Sequence, residues 1–163
     1  MKSSKFLCIC ALVSSINLAA WADTIKITIV RDDTPTAAIP ASADYTVVAG
    51  QSRAFDNMQT LEFSPTSGDC SIFGISSLRQ QAKSGEILRL GTTAYEGFAI
   101  VQIAFEQRKF LGTKPVKFNQ SCTVNFANSN ATEFEQTVSL RAGKQPILLR
   151  SLPGFKMFGA LNP

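Results

Sequence analysis

From Thr24 onward, the apolar residues of this chain recur at every second position, in short runs closed by turn-forming residues. Thr24 to Val30 reads T-I-K-I-T-I-V, with Ile25, Ile27 and Ile29 on one side and Thr24, Lys26 and Thr28 on the other. Period two is the repeat of a half-buried strand, because successive side chains leave opposite faces of the pleat. A chain patterned this way buries its apolar faces by packing sheet on sheet.

The same period marks further strands. Tyr45 to Ala49 is β-branched and aromatic and stops at Gly50; Thr60 to Phe63 stops at the turn cluster Pro65 to Asp69. Cys70 to Ile75 and Ile87 to Leu90 follow, the latter closed by Gly91. Phe98 to Phe105 is the most apolar run, with Ala99, Val101, Ile103 and Phe105 on one face and Phe98 and Ile100 on the other. Apolar residues on both faces mark a central or covered strand. The cluster Gly112-Thr113-Lys114-Pro115 reads as another turn. Gln120 to Ala127 and Glu133 to Arg141, joined by Asn128 to Ala131, read as an antiparallel hairpin with Phe134, Val138 and Leu140 facing inward. Gln136 interrupts that inner face. Pro146 to Leu152 is the last strand.

One segment has helical character. Ser77 and Gln80 have the spacing of a capping box, Arg79 to Lys83 are good helix formers, and Gly85 is a natural stop, so one or two helical turns are expected over Ser77–Lys83. The expected architecture is all-β: a single antiparallel β-sandwich of about 7–9 strands with one short helix, Ig-like in architecture only. No repeat or linker marks a second domain.

Residues 1–22 have the three parts of a secretory signal peptide: Lys2 and Lys5, the apolar run Phe6 to Val13, and Ala20-Trp21-Ala22 before Asp23. Ser14, Ser15 and Asn17 break the apolar run well short of the ~20 residues that span a bilayer. Cleavage there leaves residues 23–163 as one domain, removes the only tryptophan, and lowers the net charge from +4 to +2 with the loss of Lys2 and Lys5. That imbalance is too weak to argue for nucleic acid or a membrane surface. The expected location is secreted, periplasmic or cell envelope.

Four cysteines become two, Cys70 and Cys122. In an oxidising compartment an even count implies a disulfide, here with one possible intramolecular connectivity between the two sheets. No C-x-x-C spacing argues for redox chemistry.

The chain contains no histidine. Ser-His-Asp and Cys-His catalysis and His-ligated metals are therefore excluded within it. No G-x-S-x-G, S-x-x-K or phosphate-binding glycine loop is present. Glu133 and Glu135 sit two apart on a strand, ~7 Å between them, within the range of a glycosidase pair; the plainer reading is a solvent-facing pair. Asp32-Asp33 lacks EF-hand spacing. No cofactor or metal is expected. Asn119-Gln120-Ser121 and Asn130-Ala131-Thr132 match the N-glycosylation sequon.

Three stretches are candidate binding surfaces. Arg108, Lys109, Lys114 and Lys117 place four cations around Phe110 without an acid; the plainer reading is a solvated turn. The tail from about Ser151 carries Phe155, Met157 and Phe158, which dock either on their own domain or on a partner. The Ile25/Ile27/Ile29 strand is either an ordinary first strand or an exchanged one. The expectation is an exported, non-catalytic binding or surface-assembly protein acting through protein–protein contacts or self-association. A secreted inhibitor or virulence accessory protein using the basic segment is the alternative, and a carboxylate-based hydrolase a third.

Overall fold

The computed structural model describes residues 23–32, 39–68, 70 and 79–163. The signal-peptide segment, Asp33 and the strand expected over Ser71 to Ile75 lie outside the described residues. Among the described residues there are ten strands: β1 (Thr24–Arg31), β2 (Ser42–Val48), β3 (Ser52–Asp56), β4 (Gln59–Phe63), β5 (Thr66–Gly68), β6 (Gln80–Tyr95), β7 (Phe98–Lys117), β8 (Cys122–Arg141), β9 (Ile147–Leu152) and β10 (Phe155–Asn162). They form two antiparallel sheets packed as a sandwich. One has the order β2-β1-β10-β9 and the other β3-β6-β7-β8-β5, with β4 also paired to β6.

The core follows from the alternation. Ile25, Ile27 and Ile29 of β1 are fully buried against Leu88 and Leu90 of β6 and Val101, Ile103 and Phe105 of β7. Burying each such side chain stabilises the fold by ~1.5–3 kcal/mol. Phe105, Phe134 and Phe155 close one end of this core, with ring centroids 5.1–6.0 Å apart.

Several sequence expectations are corrected by long-range pairing. Gln80–Lys83 is strand, not helix: it pairs with β4 from Phe63↔Gln80 to Thr60↔Lys83, and Ala82 is buried there. Ser77 lies outside the described residues. Thr66–Gly68, expected as part of a turn, pairs with β8 as a short strand. The expected hairpin at Asn128–Ala131 is instead the middle of β8, where Arg108↔Ala131 and Phe110↔Ser129 continue the β7 ladder. Short polar residues favour turns locally, but a neighbouring strand overrides them.

Gly112 and Pro115 likewise do not end a strand. The β7–β8 register shifts between Phe110 and Thr113, and Gly112 takes a φ of 105° within that bulge. The β6–β7 ladder stops at Gly85↔Arg108, so among the described residues no strand pairs with that side of β7 at Pro115, where a missing N–H is tolerated. Gly91 is a mid-strand position rather than a stop, because its small size accommodates the Gln102 side chain.

The C-terminal tail is a strand. Pro153-Gly154 turns the chain, and β10 inserts between β1 and β9 in register from Thr24↔Asn162 to Arg31↔Phe155. The hydrophobic segment thus docks on its own domain, and β1 is an ordinary strand in the same sheet. The disulfide is present, with an S–S distance of 2.05 Å. It does not join the two sheets. Cys122 starts β8 and Cys70 follows β5, which pairs with β8, so the bond fastens one corner of one sheet, over Val124.

Candidate functional site

The alternation that builds the core also delivers charge into it. Arg31 continues the Ile25/Ile27/Ile29 face of β1, and Glu86 continues the Leu88/Leu90 face of β6. Both are buried, at 7% and 1% exposure. Arg31 Nη2 donates to Glu86 Oε2, and the Tyr45 hydroxyl donates to Glu86 Oε1. Arg31 Nη1 donates to the Pro40 carbonyl at 2.7 Å. The Glu86 backbone N–H is held by Asn57 Oδ1 at 2.7 Å. Gly85 makes this approach possible: a Cβ there would lie 2.5 Å from the Asn57 carbonyl oxygen. Burial and the adjacent Glu86 carboxylate push the Tyr45 phenol above its ordinary value.

Beyond the aromatic end of the core, the inward face of the strands turns polar. On β7, Phe105 is followed inward by Gln107 and Lys109. Their β8 partners, Thr132 and Asn130, face the same space. Together with Arg31 they line a cavity of about 180 Å³. Arg31 Nε and Gln107 Nε2 are both buried with no hydrogen-bond partner. A buried N–H left without an acceptor costs ~1–3 kcal/mol, so two in one cavity wall stand out. Among the described residues the wall carries two cations and no carboxylate.

A second, open groove of about 760 Å³ lies on the outer face of the larger sheet, floored by Ala54, Gly91 and Ala104 and flanked by Arg53, Arg89 and Glu135. Glu133 lies on the same outer face beside it. Glu133 is 3.7 Å from Arg108, whose Nε also binds Glu106 at 2.7 Å. Glu133 and Glu135, weighed from the sequence as a glycosidase pair against the plainer solvent-facing reading, are both exposed, with Arg108 beside Glu133. Among the described residues, no group of three or more acids, cysteines or histidines is arranged to hold a metal.

The basic stretch is dispersed by the fold. Arg108 lies on the outer face, Lys109 lines the inner cavity, and Phe110 stacks on Phe63 at 5.8 Å. Lys114 and Lys117 are exposed near the far end of the β7–β8 ribbon, beside Leu111, Val116, Phe118 and Phe126, which are also exposed. Of the tail residues, Phe155 and Met157 are core side chains and Phe158 is half-buried. Asn119 caps the β7–β8 turn, its Oδ1 accepting from the Ser121 and Cys122 backbone N–H groups at 2.9 and 2.7 Å. Asn130 is exposed at the cavity mouth.

Sequence reasoning missed Arg31, Tyr45, Glu86 and Gln107. The signal was present for three of them: each stands in phase with an apolar run. It also missed the edge of β8. Among the described residues, β5 pairs with β8 only at Cys122 to Val124, and no strand pairs with that side from Phe126 to Arg141. At ~3.4 Å per residue that edge runs for on the order of 50 Å.

No family model, curated protein or solved structure matches this chain.

Proposed function

We propose that the protein is an exported, non-catalytic binding or surface-assembly protein, and that it self-associates by pairing β8 of one copy with β8 of another. The observation that carries this is the long edge of β8. Proteins blunt such edges with lysine, proline, bulges or a covering element. From Phe126 to Arg141, β8 contains no lysine, proline or glycine, and its ladder with β7 shows no bulge between Ser129 and Arg141.

The sequence of β8 also fits a second copy of itself. Antiparallel pairing about Thr137 sets Glu133 opposite Arg141 of the other copy, and does so twice by symmetry. The same register sets Phe134 opposite Leu140 and Glu135 opposite Ser139. Directly opposed opposite charges and apolar pairs each contribute ~0.2–1 kcal/mol. The adjoining edge strand β9 adds exposed Ile147 and Leu148.

The Cys70–Cys122 disulfide supports an oxidising compartment. Among the described residues, no helix is long and apolar enough to cross a membrane. The reading as an inhibitor that inserts a basic loop is less well supported, because 108–117 is strand.

Light scattering across a concentration series tests the proposal. Thr137→Lys, which would set lysine against lysine at the centre, is expected to leave a monomer. Arg141→Glu is expected to do the same, and Arg141→Glu with Glu133→Arg to restore association. A wild-type chain that stays monomeric throughout, or association indifferent to these changes, would overturn it.

A further inference from the structure

We propose that the open groove on the outer face of the larger sheet is a binding site for an uncharged glycan chain. Its ligand lies across β3, β6, β7 and β8, and needs no pairing of β8 with a second copy.

The strand register assembles the groove in rows. Ala54, Arg89, Ala104 and Glu135 are paired in turn across the four strands. Ser52, Gly91, Gln102 and Thr137 form the next row. Alternation sends both rows to the outer face, opposite the buried Leu88, Leu90, Val101 and Ile103. The floor is therefore low at Ala54, Gly91 and Ala104, and exposed Arg89, Gln102 and Glu135 stand around it. Its volume of about 760 Å³ is that of a ligand cleft.

Three features point to a glycan. First, Arg89 offers only donors, Glu135 only acceptors, and Gln102 and Thr137 both. Among the described residues, Arg89 and Glu135 form no ion pair, and the Gln102 and Thr137 side chains no hydrogen bond. A sugar hydroxyl donates and accepts at once, so adjoining hydroxyls use both kinds of partner. Second, Arg89 and Glu135 are opposite charges on either side of Ala104, while Arg53 at the rim lies over Phe55, 4.8 Å from the ring centre. Neither sign dominates the groove, so it does not select a polyanion. Third, the same face continues through Thr93 and Ile100 to Tyr95 and Phe98, whose rings stack at 4.7 Å with 6° between their planes. Tyr95 stays 47% exposed. The C–H face of a sugar packs on such a ring while its hydroxyls remain free to hydrogen-bond.

From Arg89 to Tyr95 the strand runs ~20 Å at ~3.4 Å per residue. That is the reach of several sugar units rather than one. A peptide fits this face poorly. Strand addition needs an open edge, and β6 and β7, which run beneath the groove, are paired on both sides. The alanine and glycine floor has no apolar pocket for a side chain.

The test uses the disulfide-bonded chain of residues 23–163 on a printed array of neutral oligosaccharides, with sulfated and sialylated ones as anionic controls. At least one neutral oligosaccharide is expected to be retained, and calorimetric titration then gives its affinity. Arg89→Ala and Tyr95→Ala are each expected to weaken that affinity about tenfold, the value of one hydrogen bond to a charged group or one aromatic contact. Ala104→Arg, which raises the floor, is expected to abolish binding, and Lys156→Ala on the opposite sheet to leave it unchanged. Thermal unfolding checks that each variant is folded. None of these substitutions lies on β8, so light scattering reads self-association separately. Retention of no neutral oligosaccharide, or of the anionic ones alone, would overturn the proposal. So would binding that Arg89→Ala, Tyr95→Ala and Ala104→Arg all keep at wild-type strength.

Discussion

Glu86→Gln is the sharpest probe of how this fold holds charge inside its core. The substitution preserves shape and volume at a site that is 1% exposed. It leaves one oxygen to accept from Arg31 or Tyr45 and replaces the other with a donor. Tyr45 has a rotatable hydroxyl and adapts by accepting. Arg31 cannot adapt: it keeps its bond to the Pro40 carbonyl but loses its only described counter-charge. A buried charge stripped of its partner costs ~3–5 kcal/mol. For a domain of this size that is a fall of ~10–20 °C in melting temperature. The assay is urea unfolding followed by circular dichroism, with calorimetry to confirm two-state behaviour. The double variant Arg31→Met/Glu86→Gln removes the charge altogether and is expected to recover to within ~1–2 kcal/mol of wild type. If Glu86→Gln costs less than ~1 kcal/mol, or the double variant is worse than the single, charge compensation is not what this site provides.

Other outcomes follow from the same geometry. Tyr45 is held above its ordinary value in the folded state, so its contribution is fully present below the unfolded phenol value of ~10 and is lost as the pH rises past it; Tyr45→Phe is expected to flatten the fall in stability between about pH 9.5 and 11.5 in alkaline unfolding curves. Gly85→Ala is expected to cost more than Gly159→Ala in chemical unfolding. At Gly85 the new Cβ meets Asn57 and Met58 backbone at 2.5 and 2.7 Å with φ at 142°, whereas at Gly159 it meets the movable end of Leu149 at 2.7 Å. A chain of residues 23–163, denatured and unreduced, is expected to show no free thiol, and Cys70→Ser with Cys122→Ser to lose up to ~4 kcal/mol, the loop-closure value for a separation of 52 residues. Deleting Ser151–Pro163 removes the strand between β1 and β9, and is expected to abolish the cooperative transition rather than merely change association.

The fold class was legible because alternation is a local signal that the sheets obey. Ile25, Ile27 and Ile29, and Ala99 to Phe105, are buried on the faces their spacing assigns. Boundaries were not legible where the punctuation was glycine, proline or asparagine. Gly85, Gly91, Gly112, Pro115 and the Asn128–Ala131 stretch all read as stops, and all lie within strands. Their reasons are non-local: a crossing backbone at Gly85, a neighbouring side chain at Gly91, a bulge at Gly112 and, at Pro115, a stretch of β7 beyond the end of its ladder with β6. A sequence read one segment at a time does not contain them.

The candidate sites were hidden for a different reason. Arg31, Glu86 and Gln107 occupy core positions by phase but are polar by type, and a reading that ends a strand where its apolar residues end assigns them to loops. Strand geometry has no such boundary. Once Ile25, Ile27 and Ile29 face inward, position 31 faces inward if the strand continues, and Arg31 does continue it to its pairing with Phe155. The same holds for Glu86 behind Leu88, and for Gln107 and Lys109 beyond Phe105. Polar residues that keep the phase of an apolar run are therefore the signal worth extracting. In this chain they converge from β1, β6 and β7 on one end of the sandwich. The fold gives up apolar packing there for an ion pair and a polar cavity.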